Sequence, residues 1–425
     1  MSELLIINSK GLVQATQTPS LKKGEEMAEL PVLADAYVYV KEGVIREWGK
    51  MSALPEELRK MVDNRDPHAF EEVKIIDASG RYVFPSFCDS HTHLVYAGSR
   101  EQEFVDKIKG LSYQEIARRG GGILNSAQLL HDTPEDELYR SAMERVKEII
   151  ATGTGAVEIK SGYGLNPEDE LKMLRVIRRI KESAPVTVRG TFLGAHAFPA
   201  RYAGNHKGYV DEIINDMIPV IAAQELAEYV DAFCEEGFFS VEDTDRILNA
   251  GMKYGLAAKV HANQMGFSGG VQVGVKYNAV SVDHLESTGE AEFKALKESG
   301  TIATLLPGAT FFLNMQYAPA RRIIDSGIPV ALATNYNPGS CPSGSMQFEM
   351  ALACIAMKLT PAEAINACTI NGAYAMGVEE ELGSITTGKK ANLFITREIP
   401  SVDFIPYAFT TPFIETVILN GQVIN

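Results

Sequence analysis

One feature of this 425-residue chain restricts its fold more than any other: a regular alternation through the middle of the sequence. Short, mostly apolar runs recur there, most of them separated by a connection long enough for a crossover. They are FPSFCDSHTHL (84–94), GAVEI (155–159), VTVRGTFLGAH (186–196), YVDAFCE (229–235), AAKVHA (257–262), AVSVDH (279–284), TIATLLP (301–307) and PVALATN (329–335). Helical patterns lie between them, including PEDELKMLRVIRRIKES (167–183) and VEDTDRILNAGMKYG (241–255). Parallel strands require such crossovers, and eight β units in succession are the pattern of an α/β (β/α)8 barrel.

The two ends have a different texture. Residues 3–8, 36–48 and 73–84 read as short strands, as do ANLFITRE and ETVILNGQVIN near the C-terminus, the second with an Asn-Gly hairpin signal. Chain ends often lie close in space, so a small β domain from residues 1–83 and 381–425 is expected around a barrel of residues 84–380. A composition 45% hydrophobic and 22% charged supplies a large core. The formal net charge of -15 argues against a nucleic-acid partner, although a local arginine can still receive an anion. Five widely spaced cysteines without a CxxC pair (Cys88, Cys234, Cys341, Cys354, Cys368) read as free thiols in a reducing compartment. The start MSELLIINSKGLV lacks a basic n-region, and no apolar run reaches about 18 residues. The expectation is a cytoplasmic protein without a signal peptide or membrane span.

Histidines mark the strand ends. His91 and His93 are i and i+2 of an extended segment, so both imidazoles point the same way and can reach one ion. Polar residues close most of the other runs: Glu158 and Lys160, His196, Glu235, His261, His284 and Asn335. Five of the eight histidines end strands, while His68, His131 and His206 fall elsewhere. Barrel active sites form at the C-terminal ends of the strands, so this bias points to a metal-centred site. His91, His93, His261 and Asn335 can surround one ion, leaving a position open for water, whose pKa falls toward about 7 on zinc. His196 and His284 would flank the same mouth, to polarise a carbonyl or move a proton.

At this point the residues carry a resemblance. HTH on the first barrel strand, histidines on the fifth and sixth, and a polar residue closing the eighth resemble the amidohydrolase superfamily, with its β-sandwich built from both termini. GSITTGKKANLFI (383–395) is similar to that superfamily's return into the sandwich. More narrowly, DSHTHLVYAGSREQEF (89–104), YQEIARRGGGI (113–123), EIKSGYGL (158–165), TFLGAHAFP (191–199), DAFCEEGFFS (231–240), HANQMGFSGG (261–270) and NYNPGSCP (335–342) resemble the imidazolonepropionase family. The resemblance implies hydrolysis of the cyclic amide of 4-imidazolone-5-propanoate to N-formimidoyl-L-glutamate in histidine degradation, with one Zn(II) or Fe(III) per chain. It makes His91, His93, His261 and position 335 the metal ligands. Arg100 and Tyr113 would take the propionate carboxylate, and a planar guanidinium suits that task. Tyr163, His196 and Gln264 would hold the ring, and Asn337, Gly339 and Ser340 would contact substrate and product from the loop after the eighth strand. His284, His196 and residue 335 would be the catalytic groups. The expected partners are a small molecule carrying a carboxylate and, as one option, a second copy in a homodimer.

One position departs from the family. Aspartate is expected where this chain has Asn335, both as a ligand and as acceptor of the proton from the attacking water. Asparagine keeps an acceptor oxygen but has no charge and cannot act as a base. Three readings stay open: an engineered inactive variant, a natural variant using another base such as His284, or a barrel that no longer catalyses. A related aminohydrolase acting on another heterocycle is the further alternative, and a neutral base would not call for the Arg100–Tyr113 clamp.

Overall fold

The computed structural model describes residues 3–63, 73–111, 115 and 121–424. The N-terminal strands are β1 (Glu3–Val13), β2 (Val32–Lys41), β3 (Val44–Lys50), β4 (Val73–Asp77) and β5 (Arg81–Pro85). Eight barrel strands follow: β6 (Phe87–Thr92), β7 (Thr154–Lys160), β8 (Thr187–Ala195), β9 (Tyr229–Cys234), β10 (Ala257–Ala262), β11 (Ser281–His284), β12 (Ile302–Leu305) and β13 (Val330–Leu332). Each pairs in parallel with the next, in the order β6 to β13. The first and last strands meet at their C-terminal ends. There Asn335 donates its N–H to the His91 carbonyl (2.9 Å) and His93 donates to that of Tyr336 (2.9 Å). Every residue of β6, β7 and β9 is buried, as strands covered on both faces must be. This is the barrel expected from the alternation.

The crossover helices obey ordinary local rules. Pro167–Ser183 starts at an N-cap, Asn166, whose side chain accepts from Asp169 N–H (2.9 Å), and carries Pro at its first position. Met173, Leu174, Ile177 and Ile180 fall on one face at helical spacing and are buried where the helix packs on β8.

The terminal strands β14 (Leu393–Glu398), β15 (Ile414–Leu419) and β16 (Gln422–Val423) join β1–β5 in one sheet through an antiparallel β14–β5 pair. β1 is irregular between Ile6 and Ser9, where Asn8 has φ 57°; its first half pairs with β4 and its second with β5. Residues from both ends of the chain, among them Leu4, Ile6, Val38, Val40, Leu393 and Ile418, share one core. Two expected strands are each two. The run 36–48 turns at Glu42 and Gly43 (φ 55° and 76°), and 73–84 breaks at Ala78–Gly80, where Asp77 accepts from Ser79 N–H (2.9 Å). Both breaks are turn chemistry inside a β-like composition. Among the described residues, no helix is long and apolar enough to cross a membrane.

Glu349, on the helix Met346–Ile355 that follows β13, is fully buried and accepts from Gly308 N–H (2.7 Å). Burial pushes its carboxyl well above the usual 4.5. The folded state therefore keeps a proton that the unfolded chain releases, and stability falls as pH rises above that value by about 1.4 kcal/mol per unit. Glu349→Gln is expected to remove this slope. Denaturant unfolding at several pH values between about 5 and 7 checks it: the variant's relative stability should rise with pH.

Candidate active site

Three imidazoles meet at the mouth of the barrel. His91 near the end of β6, His93 just beyond it, and His261 on β10 turn their Nε2 atoms to one point. The separations are 3.3 Å (His91–His93) and 3.4 Å (His93–His261). Donors at about 2.0–2.1 Å from a tetrahedral ion lie about 3.3 Å apart, so the spacing is that of a ligand set. Carboxylates stand behind two of the rings. His91 Nδ1 is 2.6 Å from Asp283 Oδ2, and His261 Nδ1 is 2.9 Å from Asp231 Oδ2. Burial holds the pKa of His91 and His93 well below the usual 6.5 and lowers that of His261, so all three are in the neutral, ligating form. Neutral nitrogens facing one another at this distance call for a cation between them. Asn335 Oδ1 is buried without a hydrogen-bond partner among the described residues, and Asn335 lines the same cavity. The chemistry of these donors fits one divalent metal ion.

Beneath the histidines the barrel is charged, where such barrels are ordinarily filled by branched apolar side chains. Lys160 Nζ on β7 lies 2.7 Å from Glu158 Oε1, 2.9 Å from Asp231 Oδ2 and 3.8 Å from Asp283 Oδ2. Lys259 Nζ on β10 donates to Glu158 Oε2 (2.6 Å), Ser90 O (2.8 Å) and Ala375 O (3.2 Å). All five side chains are fully buried. Burial works against the charge of Asp231, but His261 and Lys160 overcome it and hold the carboxyl well below its usual range. Burial likewise opposes the charge on Lys160, yet Asp231, Glu158 and Asp283 raise its pKa. Glu158 and Lys160 thus sit in the interior and not at the rim, where strand-end reading put them.

Most of the other expected site residues line one cavity above the histidines: Arg100, Tyr163, His196, Gln264, His284, Asn335, Asn337, Gly339 and Ser340, together with His93 and His261. Tyr113 lies outside the described residues. His196 Nδ1 is 3.0 Å from the Gly162 carbonyl, which can only accept, so Nδ1 carries the proton. Burial lowers the His196 pKa to about 3, leaving Nε2 as an acceptor. A neutral ring in this tautomer accepts a proton donor of the substrate and does not polarise a carbonyl, contrary to one expected role. His284 ends β11 at φ 91°, a conformation rare for any residue with a side chain, and its Nδ1 is 3.6 Å from Glu286 Oε1.

The SGYG loop that carries Tyr163 is held by Glu170, which accepts from the N–H groups of Gly162 (3.1 Å), Gly164 (2.7 Å) and Leu165 (3.0 Å). Gly162 has φ 113°, and a Cβ at Gly164 would collide with the backbone at Asp169 and Glu170. The glycines therefore serve the turn and its packing on the helix. Asn337, which lines the cavity, is tied into its own loop. Its Nδ2 donates to Asn335 O (2.6 Å) and Ser340 Oγ (2.8 Å), and its Oδ1 accepts from Gly339 and Ser340 N–H (2.8 Å each). That is the full capacity of an amide side chain, so Asn337 acts by shaping the loop. Glu235 accepts from Gln264 and Met265 N–H through Oε1. Cys341 is buried, and burial raises its thiol pKa well above the usual range, which leaves it unreactive.

Sequence reasoning missed Asp231, Asp283 and Lys259, and also Phe233, Phe238 and Ile123, which line the cavity. A signal existed for some: Lys259 and His261, like Asp231 and Phe233, are two apart on one strand and so face the same side.

The barrel, the terminal sheet and the histidine centre together define a class. Residues 82–424 match the amidohydrolase family, and the chain is one of its members. It is 54% identical to the imidazolonepropionase of Flavobacterium johnsoniae, over 99% of both chains. It is 50% identical to that of Christiangramia forsetii, over 99% of this chain and 100% of the other. Within the amidohydrolases, the chain belongs to the imidazolonepropionase family. Among solved structures, guanine deaminase from E. coli has the same fold, with a TM-score of 0.73 at 13% identity over 100% of this chain and 99% of the other.

Proposed function

We propose that this chain opens the cyclic amide of 4-imidazolone-5-propanoate to N-formimidoyl-L-glutamate. The observation that carries the reading is the joining of the three-imidazole centre and the Arg100 guanidinium in one cavity. A metal beside a cationic anchor suits a small hydrolysable ring with a carboxylate tail. The level of identity to named imidazolonepropionases supports the particular ring.

A metal ion at this centre supplies Lewis-acid activation of water and of an amide carbonyl. Three neutral imidazoles and a neutral amide oxygen suit Zn(II) better than Fe(III), whose higher charge calls for anionic oxygen ligands. The side chains supply the rest. Arg100 takes the propionate, Tyr163 packs beside the ring, and His196 Nε2 accepts a ring N–H. In the hydrolysis, hydroxide adds to the amide carbon, the C–N bond breaks, and a proton passes to the departing nitrogen. His284 carries that proton in this chain, since the amide of Asn335 cannot. Glu286 lies beside His284, with its Oε1 3.6 Å from His284 Nδ1. Five cysteines without a disulfide support a cytoplasmic setting.

Arg100→Ala tests the anchor. It is expected to leave fold and metal content intact and to weaken substrate binding by roughly 2–5 kcal/mol. An analogue lacking the carboxylate should bind the variant and the parent alike. Equal losses for both ligands would assign Arg100 another task.

A further inference from the structure

We propose that Glu103 is a positioning residue that holds the Arg100 guanidinium in its carboxylate-binding pose and ties it to the backbone at Gly122. The inference rests on the reading of Arg100 as the carboxylate anchor. Arg100 is the N-cap of the helix Glu101–Ile108, and Glu103 is three residues on, in its first turn. The two side chains form a forked pair: Arg100 Nε donates to Glu103 Oε1 (2.8 Å) and Nη2 to Oε2 (2.6 Å). Two parallel bonds fix the guanidinium plane as one bond would not. Glu103 is itself buried, at 8% exposure, and its Oε1 also accepts the Gly122 N–H, so the carboxylate is anchored independently of the arginine.

The opposite side is closed by backbone. A Cβ at Gly339 would collide with Arg100 Nη1 and Cζ, so the guanidinium packs against the loop after β13, in space that only glycine leaves open. Held between Glu103 and Gly339, the fork has little rotational freedom left to lose when a ligand arrives. The N–H groups that Glu103 does not engage, two on Nη1 and one on Nη2, are what remains for the substrate, and Arg100 lines the cavity with Tyr163 and Ser340. Gly122 leads directly into Ile123, another cavity residue. One carboxylate thus orients the cationic anchor from a fixed place on the backbone. A surface i,i+3 ion pair would not, because a flexible exposed pair has no fixed plane.

The test is steady-state kinetics at matched metal content on the parent, Glu103→Ala, Glu103→Gln, Arg100→Ala and the Glu103→Ala/Arg100→Ala double variant. Substrates are 4-imidazolone-5-propanoate and the same ring with an ethyl group in place of the propionate. Glu103→Ala should raise KM for the full substrate about ten-fold, the low end for hydrogen bonds to a charged group, with kcat within about two-fold. Glu103→Gln, which keeps one acceptor oxygen for Nε–H and Gly122 N–H, should fall between the parent and Glu103→Ala. The ethyl compound should not distinguish Glu103→Ala from the parent. The double variant should be no worse than Arg100→Ala alone, because Glu103 acts through that arginine. If Arg100→Ala raises KM while Glu103→Ala leaves it unchanged, the inference fails and the carboxylate reading stands. Additive losses in the double variant, or an equal loss with the ethyl compound, would also overturn it. If Arg100→Ala itself spares KM, the carboxylate reading fails and takes the inference with it.

Discussion

Asn335→Asp is expected to raise turnover by about 10²–10⁴-fold, the usual contribution of a positioned general base. The backbone at this position is pinned on both sides, by Asn335 N–H to His91 O and by Asn337 Nδ2 to Asn335 O. Its φ of 53° is one that asparagine and aspartate both tolerate. The exchange therefore changes charge and basicity with little change of shape. The Asn335 side-chain oxygen has no hydrogen-bond partner among the described residues, so an aspartate there would have the metal as its counterion and should hold it more firmly. Affinity for the propionate end should not move, since Arg100 is untouched. The check is ring opening by the two proteins at matched metal content. Equal rates would mean that residue 335 accepts no proton, and His284 would then be the base in both.

The second large effect is expected far from the substrate. Lys160→Met should destabilise the fold by about 3–5 kcal/mol and weaken metal binding by about 10–100-fold. Lys160 is the cation that Asp231 and Asp283 share, and those carboxylates set the rings of His261 and His91. Without it, buried negative charge is left beneath the ligands without its nearest partner. The carboxylates then draw protons or shift, and the imidazoles lose their backing. Combining Lys160→Met with Asp231→Asn should recover part of the stability, because the charge is balanced again, but not the affinity, because His261 loses its carboxylate. Denaturant unfolding with and without chelator, alongside metal titration, separates the two effects. Unchanged metal affinity in a folded Lys160→Met protein would show that the interior charges are structural only.

Much of this architecture was legible in the sequence because the barrel repeats. AAKVHA coincides with β10, and the helical pattern 167–183 coincides with the helix found there. The histidines at the strand ends do meet at one mouth. Depth was harder to read than position. Strand-end reading brought Glu158 and Lys160 to the rim, but inward-facing residues alternate along a strand, and these two lie a layer below the ligands. Turns inside β-like runs hid the breaks at Gly43 and Gly80, since the flanking residues favour strands on both sides. Hydrogen-bond saturation was invisible in principle. Nothing in NYNPGSCP tells that the Asn337 amide is spent on its own loop, or in GSREQEF that Glu103 holds Arg100. The left-handed backbone of His284 belongs to the same group, for it depends on what packs around the strand end.

We propose that this barrel hydrolyses the imidazolone ring at a single metal bound by His91, His93 and His261. The most direct measurement follows 4-imidazolone-5-propanoate and N-formimidoyl-L-glutamate together by NMR. It compares the chain, its Asn335→Asp variant and a His91→Ala/His261→Ala variant, each after exposure to zinc and removal of the excess. One zinc per chain is expected in the first two, with slow product formation by the first, fast formation by the second, and neither zinc nor product with the third. Stoichiometric zinc in the double-histidine variant, or a zinc-loaded Asn335→Asp protein that leaves the ring intact, would contradict it.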